Sequence, residues 1–113
     1  MSDLPRRGEV WWADLPQPSG RRPVLLLSRD AAYERRTSIT VAPITRTVRR
    51  IPVEVPLDQG DGMAVPCIVN TDDLVTIPKI LVQERITILS QDRMSEIARA
   101  IVFALDLESD LKE

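Results

Sequence analysis

Up to about residue 89 the chain places apolar residues in short alternating or unbroken runs, and only after that does it change to a helical period. Residues 8–14, GEVWWAD, carry the β-formers Val10, Trp11 and Trp12 and predict a first strand. Successive strand residues point to opposite faces. One tryptophan therefore reads as core, the other as an interface filler or a platform for a stacked base. PQPSG is a loop by its prolines and glycine. PVLLLS, 23–28, reads as a strand buried on both faces, with Pro23 at its first position, where no ladder donor is needed. RDAAYERRTS is a polar connection with a helical turn. ITVAPIT, 39–45, offers Ile39, Val41 and Ile44 to the core, and Pro43 places this strand at an edge, at a bulge or at its end. In IPVEVPL, 51–57, Ile51, Val53, Val55 and Leu57 alternate with Pro52, Glu54 and Pro56, the pattern of a half-exposed strand. DQGDG is a turn, VPCIVN (65–70) another strand, and LVQERITIL (81–89) contains the last.

The closing segment, SQDRMSEIARAIVFALDL, spaces Met94, Ile97, Ala98, Ile101 and Leu105 by threes and fours, which predicts an amphipathic helix. Ser90 suits the N-cap, and Asp92 suits the positive end of the helix dipole. Val102 and Phe103 lie off the stripe, so the helix has apolar surface for a second element or a partner chain. The pattern predicts a mainly β protein with helices: one domain over residues 1–113, built as a small twisted antiparallel sheet or partly closed barrel with a C-terminal helix. The core of so short a chain is marginal, and dimerisation would bury more.

Composition removes several chemistries. The 113 residues include no histidine and a single cysteine, Cys67. That excludes an internal disulfide, the usual zinc sites, the Ser/His/Asp triad and the Cys/His dyad. Cys67 itself reads as a small buried hydrophobe. No apolar run approaches the ~20 residues of a membrane span, and nothing apolar enough for a secretory leader follows the first arginines, so the expected location is the cytosol. The net charge of −2 hides an asymmetry. Residues 1–50 hold ten arginines against five acids, a net of +5, and residues 51–113 hold five basic residues against twelve acids, a net of −7. A basic face for a polyanion and ordinary solvated surface explain this equally well.

The motif that tips the balance is SGRRPVLLL, 19–27, where arginines stand directly against a core strand. Arg22 lies where the loop enters that strand, held out of helical geometry by Pro23. Thr45 closes the strand 39–45, and Arg46, Arg49 and Arg50 follow it. If the two strands are neighbours, a guanidinium and a hydroxyl converge at one end of a sheet. A guanidinium fork matches two phosphate oxygens. In RNA the nucleophile is the substrate's own 2′-OH, so a protein need only align it and stabilise the charge that develops on the phosphorane-like transition state. The products would be a 2′,3′-cyclic phosphate and a 5′-hydroxyl, with no metal or other cofactor, and DNA would remain intact. Ser19, Arg21, Arg46, Thr47, Arg49, Asn70 and Lys79 form the expected RNA-contacting set around catalytic Arg22 and Thr45. The acids Asp58, Asp61, Asp72 and Asp73 lack metal-loop spacing and read as solvated turns.

Five segments in order resemble one family. RRGEVWWADL (6–15), GRRPVLLLSRD (20–30), TVAPIT (40–45), VNTDDLVTIPK (69–79) and RITILS (85–90) with its following helix are similar to the MazF/PemK-type toxins. The resemblance implies an SH3-barrel-like homodimer that cuts single-stranded RNA at a short sequence without metal. It also implies neutralisation by a small MazE-like antitoxin whose C-terminal tail occupies the RNA groove. By position, the family's catalytic arginine falls on Arg22 and its threonine on Thr45. In the PemK branch an arginine and an aspartate flank one residue of a later strand. Here Asn70 and Asp72 stand there around Thr71, so Asp72 is a secondary candidate for acid–base work. The loop PQPSGR is shorter than the family's and has no acid. Two alternatives stay open: a gyrase-poisoning toxin of the same fold, similar to CcdB, and a non-catalytic barrel that binds RNA or peptide. The poisoning branch carries a tryptophan near its C-terminus, whereas this chain ends DLESDLKE.

Overall fold

The structure is a computed structural model and describes residues 4–111. The opening MSD and closing KE, parts of the segments read above for a leader and for an aromatic ending, lie outside the described residues. Seven strands, β1 (Glu9–Asp14), β2 (Arg21–Leu26), β3 (Ser38–Thr45), β4 (Glu54–Leu57), β5 (Cys67–Asn70), β6 (Val75–Pro78) and β7 (Val82–Ile88), join three helices, α1 (Ala32–Arg35), α2 (Gln91–Ala104) and α3 (Leu107–Leu111). The strand order is β4-β5-β3-β2-β1-β7, with β6 on β3, all antiparallel. The sheet is twisted and open rather than closed into a barrel.

β2 explains why its apolar run is unbroken. Leu25 and Leu27 enter one core cluster with Val10, Ile44, Val69 and Ile97, whereas Val24 and Leu26 enter a second with Trp11, Tyr33, Ile39 and Val41. Both faces of the strand are covered. At ~1.5–3 kcal/mol per fully buried aliphatic side chain, this stretch is the main anchor of the fold. Trp11 is the core tryptophan, 6% exposed, and its indole N–H donates to Glu9 Oε1 at 2.9 Å. Ser90 caps α2 as expected, its Oγ accepting from the Arg93 N–H at 3.1 Å. Ile97 and Ala100 are the buried positions of α2, while Ala98 and Leu105 face out, so the stripe is rotated relative to the spacing.

Three expectations need correction. β4 is shorter than the alternation suggested, and Glu54 is buried, because residues 51–53 form a turn before it and Ile51 faces out. β6 and α3 were not anticipated. Pro43 lies in a central strand rather than at an edge. The Leu27 N–H donates to the Thr40 carbonyl at 3.0 Å, so even-numbered residues of β3 bond toward β2 and odd-numbered ones away. On that far side β3 pairs with β6 through Val41 and with β5 from Ile44, and Pro43 occupies the handover gap. Pro23 is the third residue of β2 and not its first; its missing donor falls on the β3 side, just past the last β2–β3 pair, Val24↔Pro43. Pro23 thus ends the β2–β3 ladder, while the missing donor of Pro43 falls on the opposite side of β3.

Candidate active site

Where that ladder stops, the two strands part, and continuing the register places Arg22 across from Thr45. The convergence expected from sequence is present. Both residues line a cavity of about 600 Å³ together with Trp12, Arg21, Pro23, Ile44, Arg46, Thr47, Met63, Val65, Cys67 and Ile86. Both also line a second cavity of about 330 Å³ with Pro43, Thr47, Arg49, Glu54, Asn70 and Asp73. The pair therefore forms a ridge between a mostly apolar hollow and a polar one.

The Arg22 guanidinium is steered from its own loop, its Nε donating to the Ser19 carbonyl at 3.4 Å. Ser19 acts here through its main chain, and it lines neither cavity. Thr45 Oγ1 accepts from the Thr47 N–H at 3.2 Å, which fixes the hydroxyl while leaving its own proton to donate. Among the described residues Arg22 and Arg46 make no ion pair. Arg21 does: it stacks on Trp12 at 4.4 Å and lies 3.6 Å from Glu84. Trp12 is the tryptophan left for the site.

The polar hollow holds Asn70, from the expected set, together with Glu54, which sequence reasoning missed. Glu54 and Asn70 are cross-strand partners in β4 and β5. Glu54 Oε1 accepts from the backbone N–H of Arg49 at 2.8 Å and of Arg50 at 3.2 Å, and Oε2 accepts from Arg49 Nε at 2.8 Å. Burial pushes the Glu54 carboxyl up, but the hydrogen bonds from Arg49 more than offset it and hold the group below the ordinary carboxylate range. The same contact raises Arg49 above the usual guanidinium value. The signal available in sequence was an acid four and five residues after Arg50 and Arg49; its place among polar alternates disguised it as surface.

Asp72 lines neither cavity; Asp73 lines the polar one. A strand reading of VNTDD puts Asn70 and Asp72 on one side. Instead Thr71–Asp73 is a 3₁₀ turn capped by Asn70. Residues three apart eclipse in such a turn, so Asp73 returns to Asn70, whose Nδ2 donates to Asp73 Oδ2 at 2.9 Å. Lys79 is also displaced from the expected set. Its Nζ donates to the Tyr33 carbonyl at 2.7 Å, and it lines a separate cavity with Leu4, Trp11 and Val82. β6 delivers it beside Ser38, at the far end of β3 from Thr45, roughly 23 Å along the strand at ~3.3 Å per residue.

An antiparallel β protein with an arginine and a hydroxyl set together between two hollows can offer both groups to a phosphate-bearing chain. Comparison with known proteins sharpens this. Residues 6–105 match the model of the PemK-like, MazF-like toxins of type II toxin–antitoxin systems, and the chain belongs to that family. It is 40% identical over 107 residues to a probable endoribonuclease, MazF5, of Mycobacterium tuberculosis, covering 94% of this chain and 97% of that protein. It is also 40% identical over 87 residues, 77% of this chain and 84% of the relative, to endoribonuclease MazF3 of the same organism. Among solved structures, the Mycobacterium tuberculosis toxin MazF-mt6 superposes with a TM-score of 0.80 at 37% identity, over 87% of this chain and 96% of that one. A mycobacterial endoribonuclease in complex with its cognate antitoxin superposes with a TM-score of 0.81 at 28% identity, over 91% and 96%. The family match removes the ground for the gyrase-poison alternative.

Proposed function

We propose that this chain is the endoribonuclease toxin of a toxin–antitoxin pair and cleaves single-stranded RNA without metal. The observation that carries the reading is the Arg22–Thr45 pair, set across the open end of the β2–β3 ladder and lining two hollows at once. A scissile phosphate on that ridge leaves room for one flanking nucleotide on either side. Arg22 places a fork on the non-bridging oxygens, the Thr45 hydroxyl donates a hydrogen bond to the phosphate, and the proton taken from the 2′-OH by the acceptor is returned to the 5′-oxygen. The substrate's 2′-oxygen forms a bond to phosphorus, the 5′-oxygen leaves with a proton, and a 2′,3′-cyclic phosphate remains. Arg46 and Arg21 hold the adjoining backbone. The proton acceptor moves from Asp72 to Asp73. Among the described residues Asp73 commits only Oδ2 to a hydrogen bond, whereas Glu54 is saturated by three donors and held weakly basic.

In this reading residues 1–113 form one toxin domain that acts as a homodimer in the cytoplasm, and a MazE-like antitoxin tail covers the two hollows. No helix among the described residues is long and apolar enough to cross a membrane. The deciding experiment incubates the purified chain with mixed-sequence RNA in excess EDTA and maps the cut positions and end groups. Cyclic phosphate and 5′-hydroxyl ends at a short recurring sequence are the expected result. Cleavage that vanishes in EDTA, or 5′-phosphate ends, would overturn the mechanism.

A further inference from the structure

We infer that Glu54 is a positioning residue: its buried carboxylate pins Arg49 so that the remaining guanidinium nitrogens meet an RNA phosphate beside Arg22 and Thr45. The inference rests on the endoribonuclease reading and extends it to a second phosphate clamp. The Glu54 side chain is 2% exposed, yet the Arg49 side chain that it holds is 54% exposed. One carboxylate takes the Nε and the main-chain N–H of Arg49 together with the N–H of Arg50. Backbone and guanidinium are therefore fixed by the same group. The turn is unusual in its own right: Arg50 adopts φ +55°, a conformation side chains rarely take, and the Glu54 N–H closes it onto the Ile51 carbonyl at 2.9 Å. Among the described residues Arg49 Nη1 and Nη2 make no hydrogen bond, and Arg49 lines the hollow that Arg22, Thr45 and Thr47 also line. A bidentate ion pair spends two nitrogens of the fork on its partner. This one spends Nε and leaves the two nitrogens that best bridge phosphate oxygens.

Charge and positioning predict opposite signs for one substitution, which makes the test sharp. Glu54→Gln removes a negative charge next to a polyanion site and keeps Arg49 cationic. Charge alone predicts tighter binding and cleavage at least as fast. Positioning predicts kcat/KM lower by about tenfold or more, since a misplaced binding group of this kind costs up to ~100-fold. Full-length Glu54→Gln, Arg49→Ala and the double variant are compared for RNA cleavage. Their binding to mixed-sequence 2′-O-methyl RNA, which lacks the nucleophile, is followed against salt. Arg49→Ala should lower the salt slope by about 0.7 for the lost phosphate contact. The double variant should be no worse than Arg49→Ala within about twofold, because Glu54 acts through Arg49; a purely structural Glu54 would give additive losses. If Glu54→Gln fails to fold, Arg49→Lys replaces it: the charge stays, the fork is lost, and kcat/KM should match Arg49→Ala. Glu54→Gln or Arg49→Lys cleaving as fast as the parent, or additive losses, overturns the inference alone. A parent chain that neither cuts nor binds RNA overturns both readings at once.

Discussion

Arg22→Ala separates the proposed chemistry from the fold more cleanly than any other change. Arg22 is half-buried at the mouth of β2, its recorded hydrogen bond is a long one, 3.4 Å to the Ser19 carbonyl, and it makes no ion pair among the described residues. Its removal should therefore alter stability by no more than about 0.5 kcal/mol, the ordinary scale for a surface substitution, which is a few degrees in Tm for a domain of this size. The transition state loses far more. Deleting one preorganised donor to a developing oxyanion costs about 10²–10³ in rate, or ~2.7–4 kcal/mol. Arg22→Lys keeps the charge and loses the planar fork, so it should fall between the two. The assay is single-turnover cleavage of an oligonucleotide carrying the mapped site, with enzyme in excess, alongside thermal unfolding of each variant. A folded Arg22→Ala protein cutting within about threefold of the parent would refute the mechanism, because no other group in the hollows is opposed to Thr45 in the same register.

Asp73→Asn should lower kcat by roughly 10²–10⁴, the range of general acid–base contributions, with Asp72→Asn near the parent rate; equal effects in single-turnover assays would restore Asp72. Stability should fall in acid. Burial pushes Asp61 up, but its bonds with Arg93 at 3.1 Å outweigh that and leave its pKa lowered, as the Arg49 contacts do for Glu54. Groups lowered in the folded state contribute stability above their unfolded values, near ~4, and lose it as pH falls through the folded ones. Tm should therefore be level from about pH 8 to 5 and drop below about pH 4, with a shallower drop in Asp61→Asn; an unchanged profile in that variant would refute the assignment. Gly62 has φ +94°, and a Cβ there would lie 2.2 Å from Thr87 Oγ1, which donates to the Asp61 carbonyl at 2.8 Å. Gly62→Ala should cost about 2–4 kcal/mol from left-handed strain and overpacking, read as a Tm loss on the order of 10 °C and partly rescued by Thr87→Ala.

The legible parts of the chain were those where local pattern and tertiary position agree. The run 24–27 is apolar because β2 is covered on both faces, and the N-cap of α2 is a local contact. Arg22 and Thr45 could be brought to one end of the sheet because Pro23 and the end of β3 mark their places in the strands. What failed was period. VNTDD invites alternation, but Asn70 caps a 3₁₀ turn, which exchanges Asp72 for Asp73. Glu54 sits at a polar alternate of IPVEVPL, and only the return of Arg49 over it, a contact across a turn, shows that it is buried. Lys79 is displaced for a topological reason: β6 joins β3 at Ser38, and nothing in the motif says which end of β3 it meets.

A net charge of −2 is a poor guide to this surface because the acids are distributed against particular arginines. Glu9 takes Arg85, Glu84 takes Arg21, Asp61 and Glu96 take Arg93, and Glu54 takes Arg49. Each pairing either ties elements together or aims a guanidinium. Four acids of the second half, Glu54, Asp61, Glu84 and Glu96, are spent this way, whereas among the described residues Arg22 and Arg46 at the open end of β2 and β3 receive none. A cation left unpaired in a partly enclosed hollow keeps its attraction for an anion, since screening by salt and by internal carboxylates is both weaker there. Pro23, which ends the β2–β3 ladder, and the carboxylates that pair with Arg21 and Arg49 thus act around the same point. The first opens a space that a phosphate would fit, and the others hold the neighbouring guanidinium groups while Arg22 and Arg46 stay without an ion pair among the described residues.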